Sequence, residues 1–390
     1  MPMIGIILDA IIALFANPAV GQQLCPHSSA GYSDGCAGAP WPAGPIQYPA
    51  LLNQYAHRPP WDVAGVDYYV GMPQGYVLKD WQTLISTTRI PGFDWDTRGY
   101  FRCNTGNIVI DGYDFTTGSA GWSIYAPSGG CTGLTITNSK MGCIPGSGIG
   151  QNAPAFGGFN IQTGNVAFVF KNNTVDYANC QGSGGAGTNA FITIGELGCR
   201  SCTLDFEYNY MKDLYSRVVS YGGSYKSFIY RYNMIENPAT SEPGDPQQIH
   251  MNSLQGTYSG TVSPVFTFNT TFVSQSYAGG ELPQFYYNSG GSISPTVSYN
   301  TFPFSECNCV SYKIHGNTGS NGPATTLFGS ATISYNYMDT TDSYGPFYPN
   351  SFNNWFAEGN VDMKTGAIIG IPGTNPLGSQ PPPPHRHHHK

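Results

Sequence analysis

The chain has 390 residues, room for one large domain or two ordinary ones, and only 10% of them are charged, against ~25% in an ordinary globular chain. Aromatics at 14% and an apolar fraction of 40% supply enough side-chain area for a sizeable core, and no apolar run reaches the ~18 residues that would mark a membrane-spanning helix. The net charge of -7, with 16 Lys and Arg spread thinly, argues against nucleic acid as the main partner. Fifty glycines and thirty prolines scattered between short apolar runs predict many turns, short strands and few helices, an all-β chain.

At the start, Met3 to Ala16 reads as the apolar part of an export signal, with Ala19, Val20 and Gly21 as small residues for cleavage. It lacks the basic start of such signals, since no Lys or Arg precedes Arg58, and Asp9 interrupts it. Residues 1–21 are therefore expected to direct the chain to a secreted or periplasmic location. The ten cysteines fit an oxidising compartment. Cys199 with Cys202 and Cys307 with Cys309 lack the paired knuckles or spaced histidines of a zinc site, so disulfides or buried thiols are expected. Residues 22–98 show no repeat and are expected to form an N-terminal cap that covers the first open sheet edges.

From Tyr100 on, one pattern returns: alternating apolar or aromatic residues, then Asn, then a new apolar start. It ends at Asn138, Asn173, Asn209, Asn233, Asn269, Asn300, Asn336 and Asn360, and Asp111 is placed in the same role one turn earlier. The intervals of 24 to 36 residues are those of a solenoid. Leu204, Phe206 and Tyr208 alternate with Asp205 and Glu207, the period of a strand with one buried face. Asn suits the bend that follows because it tolerates the left-handed conformation, and stacked coils would let successive amides bond to one another. Two residues before the Asn, Lys171, Glu207 and Arg231 are expected to alternate in sign down one face, a modest stabilisation.

Between the repeats lie strands whose outward residues are candidates for a site: 158–162, 190–194, 217–221, 247–252, 284–288 and 310–315. If Ile249 and Met251 point inward, Gln248, His250 and Asn252 point outward. Asn160, Gln162, Thr193, Tyr286 and Asn288 then share that surface, joined by Arg217 and Tyr221 if Val218 and Ser220 face inward. Lys313 and His315 have one parity further along. Such a surface of amides, aromatics, Arg and His suits a sugar polymer, whose hydroxyls and ring CH groups need hydrogen bonds and flat apolar faces. The stretch from Glu236 to His250 collects Glu236, Glu242 and Asp245 with Gln247 and Gln248. Residues 366–390, with a run of four prolines from Pro381 and a His-rich end, read as an appendage outside the site.

The Asn-marked coils resemble the right-handed parallel β-helix of the pectate-lyase-like superfamily over about Tyr100 to Met363. The resemblance implies a single solenoid of about nine to ten coils over 99–365. It also implies binding and cleavage of an extracellular polysaccharide, first of all as a polysaccharide lyase on an acidic glycan. Several carbohydrate-active members carry a His-x-Asp-x-x-Gln run at this position; here Asp245 and Gln248 match it, and Pro243 replaces the His. A lyase needs a base for the proton beside the sugar carboxyl and a cation to neutralise that carboxylate. Arg217, Asp245, His250, Tyr221 and Lys313 are the catalytic candidates. Gln162, Thr193, Gln248, Asn252 and Tyr286 are the substrate-binding ones, and Glu242 with Asp245 the candidate Ca2+ ligands. A glycoside hydrolase, drawing its carboxylate pair from Asp213, Glu242 and Asp245, and a non-catalytic adhesin, surface or phage-tail solenoid are the alternatives.

Overall fold

The structure, a computed structural model, describes residues 46–96, 100–117, 122–126, 130–142, 156–161, 166–176, 192–194, 202–212, 219–221, 226–236, 261–274, 280–281, 284–286, 292–304, 310–317, 330–341, 345–348 and 354–370. They form a parallel β-solenoid of about ten coils. The strands that precede the Asn build a leading wall of nine strands, from Gly106–Asp111 to Asn354–Glu358. Those that follow it build a trailing wall of ten, from Lys79–Asp80 to Val361–Asp362. A third wall comes in two pieces: six strands from Phe93–Asp96 to Val219–Tyr221, and three from Gln284–Tyr286 to Phe347–Tyr348.

The period-two pattern puts one apolar column inside each wall. In the leading wall Ile110, Ile136, Phe170, Phe206, Tyr230 and Phe266 pair in register, and all are buried. Their rings stack along the axis, Phe206 to Tyr230 at 5.6 Å and Tyr230 to Phe266 at 5.2 Å. On the outer side Lys171, Glu207 and Arg231 share one register column. Lys171 Nζ lies 2.7 Å from a Glu207 carboxylate oxygen, and Arg231 pairs with the other oxygen. The expected alternating charge column is present. Glu207 in its middle is nevertheless mostly buried between the two cations.

Between the leading and trailing walls runs a ladder of buried amides at Asn173, Asn209, Asn233, Asn269, Asn300, Asn336 and Asn360. The Asn233 oxygen accepts from the Asn209 backbone N–H and side-chain amide, both at 2.9 Å. Its own amide donates to the Phe206 carbonyl at 3.0 Å and to the Asn269 oxygen at 3.1 Å. Every bonding site of the side chain is used, the condition for burying an amide.

Two features of the bend differ from expectation. The left-handed residue is not the ladder Asn but the one before it: Asn172, Tyr208, Tyr232, Phe268, Tyr299 and Tyr335 have φ between 54° and 59°. A bulky residue there costs roughly 1–2 kcal/mol. The rings of Tyr208, Tyr232, Phe268, Tyr299 and Tyr335 stack at 5.0 to 5.4 Å, which returns about 0.5–1.5 kcal/mol per pair. At the first coils the ladder position also lies later than the pattern placed it. Asn138 is itself the left-handed residue, and Ser139 takes the ladder place, its N–H donating to the Asn173 oxygen at 2.9 Å. Asp111 pairs in register with Thr137, in the column of Lys171; the Tyr113 N–H, bonded to Ser139 Oγ, marks the ladder position of that coil.

Of the segment 22–98, expected as a cap, two strands lie at the first coil: Lys79–Asp80 pairs with Tyr113–Phe115, and Phe93–Asp96 runs antiparallel to Tyr100–Cys103. Residues 46–78 form a strap along the outside of the trailing wall. Tyr48 donates to Glu236, Tyr55 to Asp339, and the His57 N–H to the Met363 carbonyl in the last coil. The strap then returns: Trp61 packs edge-on against Phe268, Tyr299 and Tyr337, the Ala64 carbonyl accepts from Thr270, and Tyr76 donates to Asp111. Gly71, at φ +86°, permits a close approach, since a Cβ there would meet Thr174 Oγ1 at 2.7 Å. That hydroxyl accepts from the Met72 N–H.

All cysteines among the described residues are oxidised: Cys103 bonds to Cys131, and Cys202 is also in a disulfide.

Candidate functional site

The third wall resolves into columns because register and alternation are both known there. Phe101, Ile124, Phe159, Ile192 and Val219 pair in sequence down the wall, and Phe101 and Ile124 are buried. The alternate register positions make a second column, here called the outer column after its half-buried first members Arg102 and Tyr125, which continues in register through Asn160, Thr193 and Ser220. Thr193 therefore stands with Asn160, as the strand alternation implies. Tyr221 pairs with Ile194, in the column of Ile161 and the buried Ala126.

In the second piece of the wall Ile314 pairs with Phe347, both buried. Gln284, His315 and Tyr348 share the alternate column, with Tyr286 opposite Asn317 one step along. Lys313 does not belong to this surface. It is fully buried, and its ammonium donates to the Pro303 carbonyl at 3.2 Å. The chain kinks between the strands Val310–Tyr312 and Ile314–Asn317, where the N–H groups of both Lys313 and Ile314 bond to the Pro346 carbonyl. That break ends the simple alternation on which the outward placement of Lys313 rested.

Arg217, Asp245, His250, Gln162, Gln248, Asn252 and Glu242 lie outside the described residues. Of the carboxylates in the Glu236 to His250 stretch, Glu236 is described, and it faces the strap. It is buried, accepts from Tyr48 at 2.9 Å, Tyr210 at 2.6 Å and Ser274 at 2.9 Å, and pairs with Lys212 at 3.3 Å. Burial pushes its carboxyl up, but Lys212 and the three hydroxyl donors outweigh this and hold it below the usual carboxylate range. Its role is to anchor the strap. Among the described residues no group of three or more His, Cys, Asp or Glu is placed to hold a metal ion, and no helix is long and apolar enough to cross a membrane.

The head of the outer column was not singled out from the sequence. Asp94 and Asp96 alternate outward on one strand, paired with Arg102 and Tyr100 on the next. Arg102 Nε lies 2.9 Å from an Asp96 oxygen, its guanidinium sits 5.8 Å from the centre of the Tyr125 ring, and Asn104 donates to Asp94 at 2.8 Å. The signal was the alternation of Asp94 and Asp96 with Phe93 and Trp95, which marks a strand with one polar face.

In comparisons with known proteins, no family model, no curated protein and no solved structure matches the chain.

Proposed function

We propose that the third wall binds an extended extracellular polysaccharide, and that groups beside the strand Val219–Tyr221 cleave it as in a polysaccharide lyase acting on an acidic glycan. The observation that carries the reading is the outer column from Arg102 through Tyr125, Asn160 and Thr193 to Ser220. Its residue types, Arg, Tyr, Asn, Thr and Ser, follow one another in register at the ~4.8 Å step of stacked strands, a linear series suited to a linear polymer of hydroxylated rings. The resemblance of the Asn-marked coils to the pectate-lyase-like superfamily supports the same reading. Disulfide bonding at Cys103, Cys131 and Cys202 supports an oxidising, extracytoplasmic location.

Cleavage would proceed by elimination. A base removes the proton on the carbon beside the sugar carboxyl, the C–H electron pair forms a C=C bond, and the glycosidic oxygen leaves and is protonated. His250 or Tyr221 would serve as base and acid, Arg217 would neutralise the carboxylate, and Asp245, with Glu242, would orient that cation or hold Ca2+. The decisive experiment incubates the protein with a panel of uronic-acid polymers, following absorbance of the new C=C bond and reducing ends in parallel. A rise in both supports the lyase. Reducing ends alone would replace it with hydrolysis. Binding without either signal would favour a non-catalytic glycan-binding solenoid. No binding to any polymer would overturn the proposal.

A further inference from the structure

We propose that Asn172 is an acceptor for an N-linked oligosaccharide, added before the strap docks on the trailing wall. The inference rests on the extracytoplasmic location that the disulfides support. The chain holds two Asn-x-Thr sequences, Asn172-Asn173-Thr174 and Asn269-Thr270-Thr271, the pattern to which such a sugar is transferred in an exported chain. The fold treats their two asparagines in opposite ways.

Asn269 is a buried rung of the ladder. Its Nδ2 donates to the Tyr230 carbonyl at 2.9 Å and to the Asn300 oxygen at 3.1 Å, so both N–H bonds of the amide are committed. A sugar replaces one of them and brings a large polar group into the bend, and a chain modified there cannot close its ladder. Asn172 stands one residue before the ladder, at the left-handed position that Tyr208 and Tyr232 hold in the next two coils. It is half-buried, and its backbone N–H bonds to the Glu207 carbonyl at 3.1 Å. Its side-chain amide has no hydrogen-bond partner among the described residues. The bend therefore loses no bond when this amide carries a sugar.

The third residue of the sequence fixes the order of events. Thr174 is buried, and its hydroxyl accepts from the Met72 N–H at 3.0 Å where the strap crosses the coil. Transfer depends on that hydroxyl, so the acceptor is usable only before Gly71 and Met72 settle on it. In the transfer, Asn172 Nδ2 forms a bond to C1 of the first sugar of a lipid-pyrophosphate-linked oligosaccharide. The bond from C1 to the pyrophosphate oxygen breaks, its electron pair leaves with the lipid pyrophosphate, and the amide gives up one proton to the transferase.

The test makes the full-length chain in a eukaryotic secretory cell in two forms, one with its own first residues and one preceded by an established signal peptide. Sugar is mapped by mass spectrometry before and after enzymatic deglycosylation. Secreted protein is expected to carry one glycan, at Asn172, with Asn269 unmodified. Asn172→Tyr, which installs the residue type of Tyr208, Tyr232, Tyr299 and Tyr335 at the same position, should abolish the mass shift while the protein is still secreted. Folded protein made without sugar should stay unmodified when offered the transferase and its lipid-linked donor; modification there would overturn the order of events. An unmodified Asn172 in the secreted second form, or a sugar at Asn269, overturns the proposal whether or not the first form is exported. If the second form is modified and the first stays inside the cell, the extracytoplasmic location falls, and the native modification with it.

Discussion

The bend between the leading and trailing walls and the third wall are made by the same coils, yet they are specified in opposite ways. At the bend the coils from Asn173 to Asn360 repeat one device, a left-handed residue followed by a buried, hydrogen-bonded amide. A buried polar group admits no partial solution, since each unsatisfied partner costs about 1–3 kcal/mol. The third wall has only its inner column constrained by packing, and its outer column changes residue type at every step, from Arg102 to Tyr125 to Asn160 to Thr193. Uniformity along an axis marks what holds the solenoid together; variation along the same axis marks what is free to be selected for a ligand.

The largest expected effect comes from breaking the uniform side. Asn233→Ala strips partners from the Asn209 N–H, the Asn209 amide and the Phe206 carbonyl. It should cost about 3–5 kcal/mol, read as a fall in the urea midpoint. Next, Tyr48→Phe removes one of the three hydroxyl donors to the buried Glu236 and should cost about 1.5–3 kcal/mol, the range for a hydrogen bond to a charged group.

The strap also gives a pH dependence with a definite sign. Burial raises the carboxyls of Glu236 and Asp339, but cationic and hydroxyl partners, Lys212 and Tyr48 for the first and Thr341, Lys364 and Tyr55 for the second, leave both below their usual values. A depressed folded value means that their contribution is fully present above the ordinary carboxylate range of about 4. It is lost as pH falls through the folded values. Urea midpoints should therefore decline below about pH 4, and Glu236→Gln, already weaker at neutral pH, should show a shallower decline. A variant with the same slope as the wild type would remove Glu236 from the anchor.

Smaller effects belong to the outer faces. Lys171→Ala removes an ion pair whose lysine is 29% exposed and should cost less than about 1 kcal/mol, an effect reduced by salt. Asp94→Asn at the head of the third wall should change stability by no more than about 0.5 kcal/mol. A stability loss there as large as at Asn233 would erase the distinction between the two sides.

The repeating bend was legible in the sequence because burial demands the same residue type every coil, and the in-register column of Lys171, Glu207 and Arg231 followed from it. The offset at Asn138 was not legible. Asn is acceptable both as a left-handed residue and as a ladder amide, and only the bond from the Ser139 N–H to Asn173 separates the two. Within the candidate site, the register pairing of Thr193 with Asn160 is the one alternation implies, whereas at Lys313, which is buried, the kink before Ile314 interrupts alternation, and no local pattern announces that kink. The polar head at Asp94 and Arg102 was passed over because it falls in the antiparallel pair at the first coil, outside the repeat.

Periodicity alone therefore determined the coil, the bend and the inner column of each wall, since those depend on spacing along the chain and on the cost of burying unpaired polar groups. The course of the strap was decided only in three dimensions. Tyr48 meets Glu236 across 188 residues and Tyr55 meets Asp339 across 284, and no local pattern records which tyrosine will find which carboxylate. The same holds for the outer column of the third wall, where neighbours in space come from different coils and only strand register brings them into line.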